Sequence, residues 1–581
     1  MAETSQFTLL RQRRFAPFFW TQFLGAFNDN IYKNALVIML AFQVSGLTAS
    51  QSNLLINLSA GLFILPFFLF SATSGQLADK YERSRLIRHT VLLKAALMLL
   101  AALGFYLNSL PVLMLTLFLD GVQSTLFGPV KYAILPQHLK TEELIGGNGL
   151  VEMGTFVAIL LGTVLGGLLI SHEQWGRALV SAATIAVAMT ACIASRWIPF
   201  SPAPVPDLRI NWNPWTETID NLSFTRRNRT VFLAVLGVSW FWFYGATFLA
   251  QFPSYGKEIL SGDESVVTLL LALFSLGIGS GSLLCERLSG HRVEVGLVPF
   301  GSIGLTVFAL DLYLAGTALP PHSLLNWLGF LVLPGAWRVI ADLMLIGMFG
   351  GFFIVPLYAL IQSRSEPTHL SRIVAGNNIL NALFMVISAV FAISMVQSGL
   401  SVAEVLLVTG IVNVAVAAYI YTVVPEFLLR FIVWLTIHSI CRLETHGLEH
   451  VPDEGPAVLR CAPIGVLDAL VITAACRRPI RFAVEARRYR HPLLNFLLRA
   501  GRALAYTADG AQSLHDEIAA ALAAGDLVCL SAQSMEVMSG RIPAQQGARH
   551  LDLALERLGP ARLMDRIVAR IRLVVSPAGT G

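Results

Sequence analysis

Up to about residue 424 the chain reads as long apolar runs broken by short polar stretches; beyond it the runs shorten and charge returns. Segments 54–70, 91–107 and 230–249 are nearly uncharged over roughly the 20 residues a helix needs to cross ~30 Å of hydrocarbon. Only helices and closed barrels satisfy their backbone in lipid, and these runs are too long and continuous for strands. The pattern predicts twelve spans, at 16–43, 53–76, 86–108, 111–133, 148–171 and 177–197, then 230–256, 265–285, 294–316, 339–363, 374–398 and 401–424. Between the two sets of six lies a polar linker, 201–229, with four prolines, and the apolar piece 323–340 is expected to be re-entrant. Residues 426–443 carry Arg430 and His438 within an apolar stretch and are expected to lie on the membrane surface. From Glu444 short apolar runs (AVLRCA, DALVITAA, IRFAVEA, DLVCLSA, IRLVVSP) alternate with charged, helix-like stretches, an α/β pattern. The expected units are therefore six-helix halves at 1–200 and 230–424, the linker 201–229, an interfacial helix at 425–443 and a small α/β domain at 444–581.

Composition sharpens this picture. With 55% hydrophobic and 13% charged residues and a mean hydropathy of +0.66, the chain has more apolar surface than a water-facing globule can hide. The start, Arg11, Arg13 and Arg14 before an apolar run, resembles a signal peptide, but Asn28, Asp29, Asn30 and Lys33 interrupt that run and no cleavage pattern follows. It is read as the first span. The six cysteines (192, 285, 441, 461, 476, 529) show no metal-ligand or paired spacing, so neither zinc nor disulfides are expected. The net charge of +5 matters through its placement. Lys80, Arg83, Arg85 and Arg88, then Lys131 and Lys140, then Arg196, Arg209, Arg226, Arg227 and Arg229, then Arg287 and Arg292, then Arg364 and Arg372 fall in alternate loops. The loops between are almost bare, Arg177, Lys257 and Arg338 excepted. The positive-inside rule then puts N-terminus, linker and C-terminus in the cytoplasm.

The two halves carry weak internal symmetry. FGPVKYAILPQ from Phe127 aligns with FIVPLYALIQ from Phe353, and GGNGL from Gly146 with AGNNIL from Ala375, as expected of halves related by an axis along the membrane normal. Between the second and third spans, GQLADKYERSRLI from Gly75 resembles the major facilitator signature loop: glycine, apolar residue, aspartate, basic cluster. Gly75 allows close helix approach, Asp79 can pair with Arg83 or a helix N-terminus, and Arg83 and Arg85 hold the loop at an anionic leaflet. An ordinary positive-inside loop is the competing reading. The second-half copy, GSLLCERLSGHR from Gly281, has Cys285 where the aspartate would stand. The resemblance implies an all-α membrane protein with a twelve-helix major facilitator fold, whose loop residues serve gating.

Ionisable groups in hydrocarbon face a wet cavity by default. The first span offers Asn28, Asp29, Asn30 and Lys33; Asp29 and Lys33 share a helical face and can neutralise one another. A purely structural ion pair is the alternative. Asp120, Gln123, Ser124, Lys131, Asn148 and Glu152 add polar groups from the fourth and fifth spans. These segments (FLGAFNDNIYKNAL, GQLADKYERSR, GVQSTLFGPVKYAILP and ELIGGNGLVEMGTFVAILLG) resemble the bacterial lysophospholipid transporters, most clearly over 17–169 and more thinly over 231–424. That resemblance implies inward flipping of lysophospholipids across a bacterial inner membrane, with membrane lipids and a coupling ion, sodium or proton, as partners. It also implies an acyltransferase, fused or separate, or an acyl carrier as a further partner. Asp29, Asn30, Lys33, Asp120, Gln123 and Glu152 would handle the head, and Trp240, Trp242 and Tyr244 the acyl chain, unless those aromatics only pack. The stretch WFWFYGATFLAQFPSYGKEIL looks like the fused form.

The tail resembles a glycerophospholipid acyltransferase domain in layout. Its first motif should read histidine, four residues, aspartate; Asp468 is present, but Pro463 stands at the histidine position. With no general base there, proton removal from an acceptor hydroxyl has no route. DLVCLSAQSMEVMSG places Gln533 within what should be a phenylalanine-proline-glutamate-glycine motif. A catalytically silent acyltransferase-like domain with a lipid-facing surface is expected, Arg477, Arg478, Arg481, Arg487, Arg488 and Arg490 lying at an anionic leaflet or on a solvated face. Cys461 or His491 as substitute catalysts would instead make it a membrane-bound acyltransferase; a facilitator of another amphiphile, or of a soluble drug, sugar or peptide, is the other alternative. No Walker loop, dinucleotide fingerprint or metal cluster is present, so no cofactor, metal, ATP or nucleic acid is implied.

Overall fold

The computed structural model describes residues 5–44, 48–289, 296–319, 323–423, 433, 435, 441–452, 455–462, 465–476, 480–489, 495, 498–499, 501–507, 510–538, 543, 548–558 and 569–577. The chain divides into two compact units, Met1–Ile420 and Tyr421–Gly581. In the first, α1 (Ala16–Phe42), α2 (Ala49–Lys80), α3 (Arg83–Tyr106), α4 (Leu110–Ala133), the turn α5 (Leu135–His138), α6 (Leu144–Ile170) and α7 (Gly176–Ser195) form one half. After α8 (Pro214–Arg227), the helices α9 (Arg229–Ser254), α10 (Glu264–Leu288), α11 (Leu297–Thr317), the short α12 (Trp327–Val332), α13 (Ala336–Arg364), α14 (Leu370–Gln397) and α15 (Val402–Val423) form the other.

Local chemistry starts these helices where they start. Thr48 and Gln51 make a capping box on α2, and the Asn228 and Asp263 side chains accept from the first free N–H groups of α9 and α10. Among the described residues, eleven helices are long and apolar enough to cross a membrane. The polar run Asn28–Lys33 sets α1 apart, but α1 packs along α6 and α7 in the same bundle. A Cβ at Gly162 would lie 2.6 Å from the Phe27 carbonyl oxygen, so only glycine lets α6 approach α1 this closely.

Two expected elements differ. The piece 323–340 holds the six-residue α12, ended before Gly335 at φ +90°, and the first turn of α13, which begins at Ala336. The linker, expected as a polar stretch, also holds a helix: Asn213 caps α8, which packs on α2, α9 and α14. Its earlier part is stitched to the α2–α3 turn, since Arg83 N–H donates to the Ser201 carbonyl and Val205 N–H to that of Asp79, both at 2.9 Å. Glu82 completes the stitch by accepting from Ser201 N–H at 2.8 Å. Burial pushes its carboxyl up, but donors from Ser84, Ser201 and Arg85 outweigh burial and hold it below the ordinary range. The stabilisation from this depressed carboxyl is present above the unfolded pKa and disappears on acidification. The interfacial helix expected at 425–443 lies almost wholly outside the described residues, as does Arg292.

The two halves meet along α2–α14, α4–α14, α6–α10 and α6–α13. The strongest contacts gather at the end that carries the basic α2–α3 and α13–α14 loops. Asp79 Oδ2 accepts from Arg372 Nε at 3.1 Å, and Arg83, itself 3.4 Å from Asp79 Oδ1, donates to Ser371 Oγ at 2.8 Å. Asn148 and Gln362 exchange amide hydrogen bonds at 2.7 and 3.0 Å. Tyr132 and Tyr358, the same position in the two repeat copies, stack at 4.0 Å with planes 6° apart. Gln6 adds a further tie, its N–H donating to Glu286 at 3.0 Å. Arg85 is exposed.

The second unit is a mixed seven-stranded sheet in the order β1-β7-β6-β2-β5-β3-β4, with β6 and β7 antiparallel and the other pairs parallel. Its strands are β1 (Cys441–His446), β2 (Ala457–Cys461), β3 (Ile480–Glu485), β4 (Leu504–Tyr506), β5 (Leu527–Ser531), β6 (Arg549–Leu558) and β7 (Ala569–Pro577). Both faces of β2 and β5 are covered: α16 (Val466–Ala475) packs with Leu459, Leu527 and Cys529, and α18 (Ala511–Ala523) with Val458, Val528 and Leu530. Two short helices, α17 (Ala486–Tyr489) and α19 (Ala532–Val537), follow β3 and β5. DALVITAA, expected among the strand-like runs, is the helix α16; a short apolar run fits either period, and Asp468 accepting from Gly465 N–H at 2.9 Å fixes a helix start.

A Cβ at Gly75 would lie 2.7 Å from Ala375 Cβ and 3.0 Å from Arg372 Cα. Gly75→Val is therefore expected to disfavour the arrangement closed at the basic end. Pulsed electron-spin distances between labels on the α2–α3 loop and the start of α14 should lengthen relative to wild type; unchanged distances would contradict this packing.

Candidate functional site in the first half

Three helices bring charge to mid-depth: Asp29 near the centre of α1, Lys94 of α3 and Asp120 of α4. The Lys94 ammonium sits between the two carboxylates, bonding Asp120 Oδ1 at 2.6 Å and pairing with Asp29 Oδ1. Ser124 Oγ donates to Asp29 Oδ2 at 3.2 Å. Asp120 is sealed, whereas 16% of the Asp29 side chain stays accessible. The Asp29–Lys33 pair expected from helical spacing is not the one that forms. A lysine on a third helix reaches both carboxylates at once, and the Lys33 ammonium instead lies 5.3 Å from the centroid of the Phe63 ring. Lys94 is the one basic residue in the apolar run 91–107, and a lone lysine at that depth is the sequence signal for a carboxylate partner on another helix.

Towards the basic end, Tyr132 O–H donates to Glu152 at 2.6 Å and Lys131 to Thr155 Oγ1 at 2.9 Å. Beside Asp29, Asn28 Nδ2 donates to the Thr184 carbonyl at 2.6 Å and Asn30 Nδ2 to Ala26 at 2.8 Å, while Gln123 Nε2 ties α4 to the Thr90 carbonyl at 3.1 Å. Asn148 belongs to the contact between halves described above. The expected chain-binding aromatics separate. Trp240 Nε1 donates to Asn413 at 2.8 Å and Tyr244 O–H to the Leu305 carbonyl at 2.9 Å, both buried inside the second half. Helical geometry turns only Trp242 to the first half, where its ring meets Phe156 with centroids 6.4 Å apart. A Cβ at Gly25, one turn before Asp29, or at buried Gly245, three residues after Trp242, would meet no atom within 4 Å.

In the second unit, Asp468 is engaged at the start of α16 and Gln533 is exposed on α19. Cys461 Sγ lies 3.3 Å from Cys529 Sγ. Arg481 pairs with Asp526 at 2.5 Å. Pro463, Arg477, Arg478, Arg490 and His491 lie outside the described residues.

The Major Facilitator Superfamily model matches residues 18–336. A lysophospholipid transporter LplT of Serratia proteamaculans is 30% identical over 366 residues, covering 62% of this chain and 81% of the relative. That of Shigella boydii is 32% identical over 362 residues, with 62% and 81% covered. Among solved structures, the transporter FucP in the outward conformation superposes with a TM-score of 0.53 at 12% identity, over 70% of this chain and 98% of its own. The last likeness concerns the fold alone.

Removing one partner from a buried ion pair costs about 3–5 kcal/mol because the other charge stays buried and unpaired. Lys94→Met should therefore lower the melting temperature of the detergent-solubilised protein sharply, and Lys94→Met combined with Asp120→Asn should recover much of the loss. Equal melting temperatures for the single and double variants would mean that Lys94 and Asp120 are not coupled.

Proposed function

This chain belongs to the Major Facilitator Superfamily, and on that premise we propose that it is a secondary transporter that flips lysophospholipids between the leaflets of a bacterial inner membrane by alternating access. The observation that carries the reading is the mid-depth group of Asp29, Lys94 and Asp120, in which Asp29 keeps an accessible carboxylate beside an ammonium, Lys33, that makes no ion pair within 4.0 Å among the described residues. A zwitterionic head has both charges to offer: its ammonium suits Asp29, its phosphate suits Lys33, and each contact is charge-assisted. The acyl chain then lies along Trp242 and Phe156 between the halves, next to the open space at Gly25 and Gly245. Both named LplT relatives bear the same substrate in their names.

Alternating access supplies the cycle. With the basic loops placed in the cytoplasm by the positive-inside rule, the contacts of Asp79, Arg83, Arg372, Tyr132 and Tyr358 close the inner side, and the group at Asp29 is served from the outer side. Opening inwards exchanges those contacts for others as the halves rock. For the second unit the reading is an acyltransferase-like domain without acyl transfer. Asp468 spends its carboxylate on a helix start, and the sequence offers proline at the position of the base.

In proteoliposomes holding labelled lysophosphatidylethanolamine, wild-type protein should accelerate its movement between leaflets. Asp29→Asn should slow it by about tenfold or more, the worth of one charge-assisted hydrogen bond. Gly25→Leu, which fills open space and should leave folding intact, should block it by bulk. Unaltered rates in both variants would remove the lipid head from this position, and acyl transfer to the labelled lipid would overturn the reading of the second unit.

A further inference from the structure

The second half holds a charge cluster of its own, at the end of the bundle opposite the basic loops. Asp311 lies six residues before the end of α11 at Thr317, and Asp342 six residues after the start of α13 at Ala336, so the two stand at matching depth, about 9 Å in from the helix ends. Arg338, one turn before Asp342, grips Asp311 with a two-pronged hydrogen bond, Nε to Oδ2 at 2.9 Å and Nη2 to Oδ1. Asp342 is 2% exposed, its Oδ2 has no hydrogen-bond partner among the described residues, and it stands one turn from Arg338 on α13, the helix packed along α11 and its Asp311. Among the described residues, Tyr255, on the π-helical turn after α9, also comes near this cluster, and its hydroxyl already donates to the Leu312 carbonyl, next to Asp311, at 3.3 Å.

The charges do not balance. In the first half Asp29 and Asp120 are matched by Lys94 and Lys33, and Glu152 by Lys131. Here two carboxylates face one guanidinium that is committed to one of them. A surplus negative charge inside a bilayer-spanning bundle needs a counter-cation, and two neighbouring carboxyls with one guanidinium between them favour sharing a proton over ionising together. We propose that Asp311, Asp342 and Arg338 form the cation site of this transporter, holding one exchangeable proton between the two carboxyls. Proton binding turns one carboxylate into an acid whose O–H donates to the other, taking the cluster from one negative charge to none. Its release restores the surplus charge, with Arg338 left on Asp311. Arg338 and Asp311, 41% and 34% exposed, give the site its opening. That occupancy of the site drives lipid movement rests on the transport reading above; the site itself does not.

The test is infrared difference spectroscopy of the purified full-length chain in nanodiscs, stepped between acidic and alkaline buffer, with sodium or with choline as the bulk cation. Wild type should show a protonated-carboxyl band that vanishes at alkaline pH and is the same in both salts. Asp342→Asn should lose it; Asp311→Asn, at a more open position, reads the same band should the first variant fold poorly. A band that persists in both variants, or is missing from wild type, overturns the proposal. A band that sodium abolishes at constant pH overturns the proton as occupant in favour of sodium. In proteoliposomes an imposed pH gradient should speed lysolipid movement in wild type and have no effect on any movement that remains in Asp342→Asn. If wild type moves no lysolipid while the band behaves as stated, the transport reading fails and the proton site stands.

Discussion

Everything in the membrane part answers to one constraint: a charge placed in hydrocarbon must find an opposite charge or a donor, since water is not there to solvate it. Lys94 is the plainest case. It has no place in an apolar helix except that two carboxylates from two other helices meet it. The same pressure joins Asp79 to Arg83 and Arg372, and Glu152 to Tyr132. These pairings fix which faces of α1, α3 and α4 look inward more firmly than the apolar residues around them, whose contacts with lipid and with protein are of similar worth.

The constraint separates two kinds of polar contact. Those inside a half, such as Lys94 with its two carboxylates or Trp240 with Asn413, can persist whatever the halves do. Those between halves, such as Asp79 with Arg372 or Asn148 with Gln362, exist in one arrangement and must be replaced in another. A bundle that keeps its polar bonds mostly within each half can move as two stiff bodies, which is the physical content of the alternating-access reading.

Much of the fold was legible because the bilayer enforces long apolar runs: the twelve expected spans agree with the helices to within a few residues at most ends, and the repeat copies do correspond, as Tyr132 stacked on Tyr358 attests. The partners within the bundle were less legible. Helical spacing suggested Asp29 with Lys33, but a sequence does not show which third helix stands opposite, and Lys94 stands there. Trp240, Trp242 and Tyr244 looked alike in sequence; only the direction of each ring, set by helix rotation, distinguishes two buried donors from one that faces the other half. Two short helices that the apolar pattern does not mark share a cause. The linker helix α8 and the tail helix α16 are short, and each owes its start to one capping side chain, Asn213 or Asp468, where apolar periodicity is silent.

The connector between the halves carries a mechanical implication. Its first part is stitched by backbone bonds to the turn between α2 and α3, while α8 rests on α2, α9 and α14. A tether fastened at both sides has little slack. Such a strap sets the stroke of the machine: the halves can part at this end only as far as α8 peels away, so connector length becomes a ruler for the widest aperture the molecule can offer.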